Sequence, residues 1–191
     1  IQAYAETLDG DRTRVRFLLS PEHFEIYLDA VRMEAFPPAV NAVSFKGERE
    51  IPEVKSTSVQ DSINARAFAN SKNAFEGLFV DAKGMLREGA WTNIFWWDAQ
   101  QTIKTVVSHV LPGIIQEVLL ETIPVRATNI TFEDFLTDAT GVSLTSSNVG
   151  VVAVRTVDGQ PYSGSDELSA IIRNALENSI RKQSFQITNH R

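Results

Sequence analysis

The sequence contains no cysteine. Disulfides, thiolate metal sites and a cysteine nucleophile are therefore excluded. Histidine is nearly as scarce. His23, His109 and His190 are the only three, which argues against a multi-histidine metal site, and no metal is expected. No apolar run approaches membrane-spanning length, and no charged-apolar-small leader is recognisable, so no membrane association is expected. Basic residues are in deficit: 18 Lys plus Arg stand against 24 Asp plus Glu, a formal net charge of -6. A nucleic-acid binder would show a clustered basic surface instead. No G-x-G-x-x-G follows a strand-like run and no G-x-x-x-x-G-K occurs, so neither the dinucleotide fingerprint nor a P-loop is present. A disulfide-free acidic chain fits the cytoplasm.

What remains is ordinary material for a globular protein: 191 residues, 43% hydrophobic and 22% charged. That length suffices for one substantial domain, or one and a fraction. There is no internal repeat and no low-complexity tract. Residues 14–20 and 23–31 alternate as strands do, and Val40 to Phe45 is a further strand after a proline break. Glu53-Val54-Lys55 reads as a short extended piece. Ser58 with Asp61 has the form of a capping box, opening a helix over 59–71 whose apolar face is Val59, Ile63 and Ala67. Residues 75–82 are strand, Lys83-Gly84 a turn, and 92–98 with 102–107 a strand pair. Pro112-Gly113 opens a helix with Ile114 and Val118, and Ile115 and Leu119, at i,i+4 spacing. Thr131 caps a short helix over 132–138. "GVSLTSS" and "VVAVRTV" are strands around a polar link, and Asp158-Gly159 is a turn. Ser165 is an N-cap for the last helix, whose stripe is Leu168, Ile171, Ile172, Ala175, Leu176 and Ile180. The sum is a mixed α/β domain.

Four features have chemical as well as structural readings. Lys55 is either a solvated strand end or an amine in a partly buried site, where its pKa falls and it can form a Schiff base. Glu88, in a polar turn before the apolar run Ile94-Phe95-Trp96-Trp97, is either paired with its neighbour Arg87 or faces a cationic heteroaromatic nitrogen. Asn93 either orients that carboxylate or bonds its own backbone. The helix start at Pro112-Gly113 leaves the N–H groups of Ile114 and Ile115 free to cradle an anion. Thr145-Ser146-Ser147 is either a plain strand end or a set of hydroxyl donors to the same anion. An amine, a carboxylate and an anion cradle together describe a site for pyridoxal 5'-phosphate.

The order of these features resembles that of the class IV aminotransferases, the fold-type IV pyridoxal phosphate enzymes. This family includes branched-chain and D-amino-acid aminotransferases and 4-amino-4-deoxychorismate lyases. The family signature E-G-x-x-x-N-[LI]-F is matched by Glu88-Gly89-Ala90-Trp91-Thr92-Asn93-Ile94-Phe95. A hydrophobic-x-Thr follows at Ile103-Lys104-Thr105, then L-P-G-I at Leu111 to Ile114. Upstream, R-x-x-P-x-x-K is matched by Arg49, Pro52 and Lys55, and the strand [AG]-x-[DE]-[AG]-L by Ala74-Phe75-Glu76-Gly77-Leu78. The resemblance extends roughly over residues 14–182. It implies the larger, cofactor-binding domain of that fold, with mixed sheets and flanking helices.

By that resemblance Lys55 is the Schiff-base lysine and the acid/base that moves the α-proton. Glu88 contacts the pyridine nitrogen, Ile114 and Ile115 supply backbone N–H groups to the phosphate, and Ser147, beside Ser146, supplies a hydroxyl. The sequence also departs from the family. Ser58 and Val59 replace the usual Asn-Tyr after the lysine, and Gln116 replaces a basic residue. The family's smaller N-terminal domain, with its H-x-x-R-L motif, has no counterpart, so that domain is expected to be missing here. Residues 1–38 are then connecting strands after it, and 39–191 the cofactor domain. Thr145-Ser146-Ser147-Asn148-Val149-Gly150-Val151 and "NIFW" lean towards the lyases: pyruvate elimination from a 4-amino-4-deoxychorismate-like substrate. An amino acid aminotransferase is the alternative, and a non-catalytic remnant serving binding or dimerisation is the rival of another class. The resemblance further implies a homodimer acting on a small molecule.

Overall fold

The computed structural model describes residues 13–20, 22, 25–32 and 36–183. Two compact units divide the chain, residues 1–36 and 37–191. In the first, β1 (Thr13–Ser20) and β2 (Glu25–Arg32) pair antiparallel, Thr13 opposite Arg32 and Ser20 opposite Glu25.

The second unit is built on one nine-stranded mixed sheet. Its strands are β3 (Ala39–Lys46), β4 (Glu76–Val80), β5 (Leu86–Gly89), β6 (Asn93–Trp97), β7 (Ile103–Thr105), β8 (Val125–Ala127), β9 (Gly141–Ser146), β10 (Gly150–Val157) and β11 (Gln160–Pro161). They run in the order β5-β4-β3-β10-β9-β6-β7-β8, with β11 paired to β10. The β4–β3, β3–β10 and β7–β8 pairs are parallel, the others antiparallel. The sheet curls, and the segment that follows β8 reaches the β5 end. Met85, just ahead of β5, bridges Thr131, and the Leu86 N–H donates to the Ile130 carbonyl at 3.0 Å. Among the described residues the helices are α1 (Gln60–Ser71), α2 (Ile114–Thr122), α3 (Phe132–Asp138) and α4 (Ser165–Gln183).

β6 explains why an unbroken apolar run was needed. Side chains alternate across a strand, and here both faces are covered. Ile94 and Trp96 enter a core with Leu78, Leu86, Leu144, Val152, Val154 and Phe135. Phe95 and Trp97 enter a second core with Ile115 and Leu119 of α2 and Leu168 and Ile172 of α4. The Trp96 indole N–H, buried with its ring, donates to Asp138 at 2.8 Å.

Helix α1 differs from its expected face. Ser62, Ala65 and Ala69 are buried, while Ile63 and Ala67 are exposed. The reason lies in β4: Gly77 has no side chain, and a Cβ there would stand 2.6 Å from the Ala65 carbonyl oxygen. Only a face of small residues sits so close to the sheet. Nor does the expected capping box form. The Ser58 N–H donates to Ser56 Oγ, the helix begins at Gln60 with Val59 at its N-cap, and no side chain caps it. The expected extended piece at 53–55 is not a strand: Glu53 and Val54 belong to a turn, closed by Val54 N–H to the Ile51 carbonyl, and Lys55 follows it. Ser165 does not spend its hydroxyl on capping α4. Its Oγ accepts from the Val142 N–H and donates to the Val154 carbonyl, tying the helix to β9 and β10. On α4, Ile171 and Ile180 of the expected stripe are exposed, whereas Leu168 and Ile172 are fully buried. Strand β8 escaped the sequence because three residues carry too little pattern.

Gly77→Ala should therefore lower stability by roughly 1–3 kcal/mol through overpacking. A fall in the urea midpoint, with faster amide exchange in α1, is the expected result; an unchanged midpoint would mean that α1 is not seated on Gly77.

Candidate active site

Glu88 lies on β5 rather than in a turn, and its carboxylate is buried. It does not pair with Arg87, which is engaged by Asp81 and the Ser108 carbonyl. Its partner is Arg49, from the loop between β3 and α1. Arg49 Nε lies 2.9 Å and Nη2 2.8 Å from Glu88 Oε1. The same guanidinium donates to the Pro52 carbonyl within its own loop. On the other side, Glu88 Oε2 accepts the Leu111 N–H at 3.0 Å.

Leu111 carries the chain of contacts onward. Its carbonyl accepts Asn93 Nδ2 at 2.8 Å, so Asn93 orients Glu88 indirectly, by holding the backbone that donates to it. Asn93 in turn is pressed against the start of α2. A Cβ on Gly113 would stand 2.0 Å from Asn93 Oδ1, so only glycine fits. In α2 the Glu117 N–H is the first to find its partner, the Gly113 carbonyl, and no side chain caps the helix. The N–H groups of its first turn therefore point outward with the positive end of the helix dipole. Ile114 is 70% exposed there, while Ile115 is buried in the α2–α4 core.

The register of β6 and β9 places Thr145 directly opposite Asn93, so the two side chains share one face of the sheet. Thr145 is buried and its hydroxyl has no hydrogen-bond partner among the described residues. A buried hydroxyl left unpaired is uncommon and marks a place where an acceptor is missing. Ser146 Oγ accepts the Val149 N–H across the β9–β10 turn, and Ser147 is exposed in that turn. Lys55 is exposed on the β3–α1 loop, and its ammonium has no hydrogen-bond or ion-pair partner among the described residues. Thus Glu88, Asn93, the start of α2 and the end of β9 are joined by direct contacts or strand pairing. Lys55 is connected to them through the loop that Arg49 anchors.

Two contributors were not read from the sequence as functional. Arg49 appears there only as a motif letter; the signal for it was that a buried acid needs a cation. The other is Glu76 on β4, completely buried. It accepts from the Gly77 N–H at 3.1 Å, the Trp91 N–H at 3.3 Å and Thr92 Oγ1 at 3.0 Å. Its signal was an acid inside an otherwise apolar strand. Burial raises the pKa of Glu76, against the pull of Thr92 and Arg66. Burial likewise pushes Glu88 up to about 7, opposed by Arg49 and the Leu111 N–H and reinforced by the charge of Glu76.

The donor set fits pyridoxal phosphate. Glu88 Oε2 takes one protein donor and has a lone pair left for a ring N–H. The uncapped α2 start and the unpaired Thr145 hydroxyl suit a phosphate. Among the described residues no cluster of three or more acidic or histidine side chains is arranged to hold a metal ion, and no helix is long and apolar enough to cross a membrane.

A family model of class IV aminotransferases matches residues 5–157. No curated protein matches the sequence significantly. Solved structures of the same fold include a Legionella pneumophila protein assigned as a 4-amino-4-deoxychorismate lyase, 19% identical, at a TM-score of 0.72 over 81% of this chain and 61% of that one. They include the branched-chain amino acid aminotransferase of Escherichia coli, 21% identical, at 0.67 over 80% and 55%. A third is the branched-chain amino acid aminotransferase of Thermobaculum terrenum in its PLP form, 13% identical, at 0.71 over 84% and 58%. The chain thus spans between 55% and 61% of the length of these three proteins.

The Glu88 environment has a measurable signature. Between pH 4.5 and about 7 the folded protein keeps a proton on Glu88 that the unfolded chain has released. Stability from this group is therefore highest below 4.5, falls as pH rises through the window, and is level above about 7. Glu76, also raised, acts in the same direction. Glu88→Gln should gain on the wild type by up to roughly 3 kcal/mol between pH 4.5 and 8. Urea unfolding of the two proteins across that range reads the difference, and a gap independent of pH would refute the raised pKa.

Proposed function

The chain belongs to the class IV aminotransferase family, and from that premise we propose that it is the cofactor-binding part of a pyridoxal phosphate enzyme. The observation that carries this reading is the continuous series of contacts from Glu88 through Leu111 and Asn93 to the start of α2. It joins a carboxylate suited to a ring nitrogen with a helix end suited to a phosphate. Residues 39–191 form the cofactor domain in this proposal, and residues 1–38 supply connecting strands.

When bound, pyridoxal phosphate supplies an electron-withdrawing pyridinium that stabilises negative charge at the substrate α-carbon. Glu88, held by Arg49 and the Leu111 N–H, would keep a proton at the ring nitrogen. Burial gives Glu88 a proton affinity near neutrality, which suits sharing that proton rather than surrendering it to water. The N–H groups of Ile114 and Ile115, with the hydroxyls of Thr145 and Ser147, hold the phosphate. Ser146 fixes the turn that presents Ser147. Lys55 would hold the cofactor covalently through its amine and would carry the α-proton of the substrate.

Within the family the reaction proposed is 4-amino-4-deoxychorismate lyase-like, releasing pyruvate, in a cytoplasmic homodimer. The Thr145–Val151 segment supports it. Amino acid transamination is the second reading, favoured by the occurrence of this fold in branched-chain aminotransferases. Purified protein incubated with pyridoxal phosphate should turn yellow, and borohydride should fix the label on Lys55. Lys55→Ala should abolish the fixation while leaving the fold intact. Wild-type protein that stays colourless would defeat the enzyme reading and leave the binding or dimerisation module. Aminodeoxychorismate, offered beside an amino acid and keto acid pair, separates lyase from transaminase by which one is turned over.

A further inference from the structure

Glu76 is the most deeply buried acid near Glu88, and an ion pair does not explain it. Its nearest cation, Arg66 Nη1 on α1, stands 3.9 Å from Oε1 and is also stacked on the Phe75 ring. Its donors tell more. Two of the three, the Trp91 N–H and the Thr92 hydroxyl, come from the turn that follows Glu88. That turn is closed by the Gly89 N–H to the Thr92 carbonyl at 2.8 Å and tied to β4 by the Ala90 N–H to the Gly77 carbonyl at 2.9 Å. Gly89 leaves the carboxylate its space. A Cβ there would stand 2.8 Å from Glu76 Cγ and 2.2 Å from Thr92 Oγ1. The acid, the hydroxyl and the glycine thus form one packed unit directly beneath the end of β5.

We propose that Glu76 is a positioning residue for the cofactor site: it holds the Gly89–Thr92 turn and so fixes the aim of Glu88, while its own charge bears on Glu88. This rests on the cofactor reading given above and deepens it. The charged groups facing Glu88 are Arg49 from the β3–α1 loop and Glu76 from β4; those facing Glu76 are Arg66 from α1 and Glu88. Leu111 contributes only an N–H. Two acids and two cations are therefore arranged so that a negative charge on Glu76 favours the protonated form of Glu88.

The test begins without cofactor. Carboxyl carbons of the glutamates are titrated by NMR, with Glu88 assigned from the Glu88→Gln variant. In Glu76→Gln, which keeps the side chain's size, the Glu88 midpoint should fall enough to change its protonated-to-ionised ratio at pH 7 several-fold. The Trp91 backbone amide resonance should move as well, since its acceptor changes from a carboxylate to a neutral amide that keeps only one acceptor oxygen. Thr92→Val, which removes only the hydroxyl contact, should move Trp91 in the same direction, and the double variant should move it no further than Glu76→Gln alone. Should Glu76→Gln not fold, the Thr92→Val chain carries the test through the same two resonances. An unchanged Glu88 midpoint and an unmoved Trp91 would overturn the proposal. Pyridoxal phosphate added to the folded variants should then show a displaced pH profile of cofactor absorbance. If wild-type protein takes up no cofactor but the cofactor-free titrations behave as stated, the function reading fails and the positioning role stands.

Discussion

A carboxylate removed from water must gather donors or keep its proton, and Glu88 does part of each. Burial pushes it up to about 7 even with a guanidinium and a backbone N–H against it. Those two partners come from distant segments, Arg49 before α1 and Leu111 before α2. Satisfying one acid therefore draws the two loops that precede these helices to the same place. Asn93 repeats the arrangement one layer on, by holding the Leu111 carbonyl and fitting against a residue that must be glycine. An unpaired group in this region would cost about 1–3 kcal/mol. The geometry of Glu88, Leu111 and Asn93 is consequently over-determined, while the buried Thr145 hydroxyl has no partner among the described residues.

Support for these polar groups comes from strands that leave no alternative. β6 is covered on both faces, so its register is fixed by two cores at once. A slip by one residue would exchange Ile94 and Trp96 with Phe95 and Trp97 and carry Asn93 away from Thr145. The bulky apolar run beside the acid is thus what keeps the amide at its post. On the other side of the sheet, the small face of α1 over Gly77 fixes β4, and with it Glu76.

The site's main-chain features were legible because they are local. Pro112-Gly113 announces a helix start, and the apolar run at 94–97 announces a strand. Glu88 and Asn93 stood out as polar residues beside that run. What escaped notice depends on contacts between distant segments. Arg49 and Glu88 are 39 positions apart, and the Arg49 side chain alone gives no sign of its partner. Glu76 looked like a letter in a strand motif, since the acceptor role of an acid depends on which turn folds over it. Thr131 caps its helix as expected, whereas two other caps failed for a related reason: Ser58 and Ser165 have the right chemistry, but a neighbouring turn and two strands compete for their groups. The apolar face of α1 was misjudged because a glycine on another element decides which face is admitted.

The cover over the start of β5 bears on how this protein meets other chains. A strand at the end of a sheet normally shows unpaired main-chain groups that invite another strand to add on. At β5 that invitation is withdrawn at the start of the strand, where residues 130 and 131 already occupy Met85 and Leu86. The strand bearing Glu88 is thus shielded there against the edge-to-edge growth that seeds fibrils. A second copy seeking this end of the sheet could not begin its ladder at Met85 and Leu86, because their main-chain groups are already engaged.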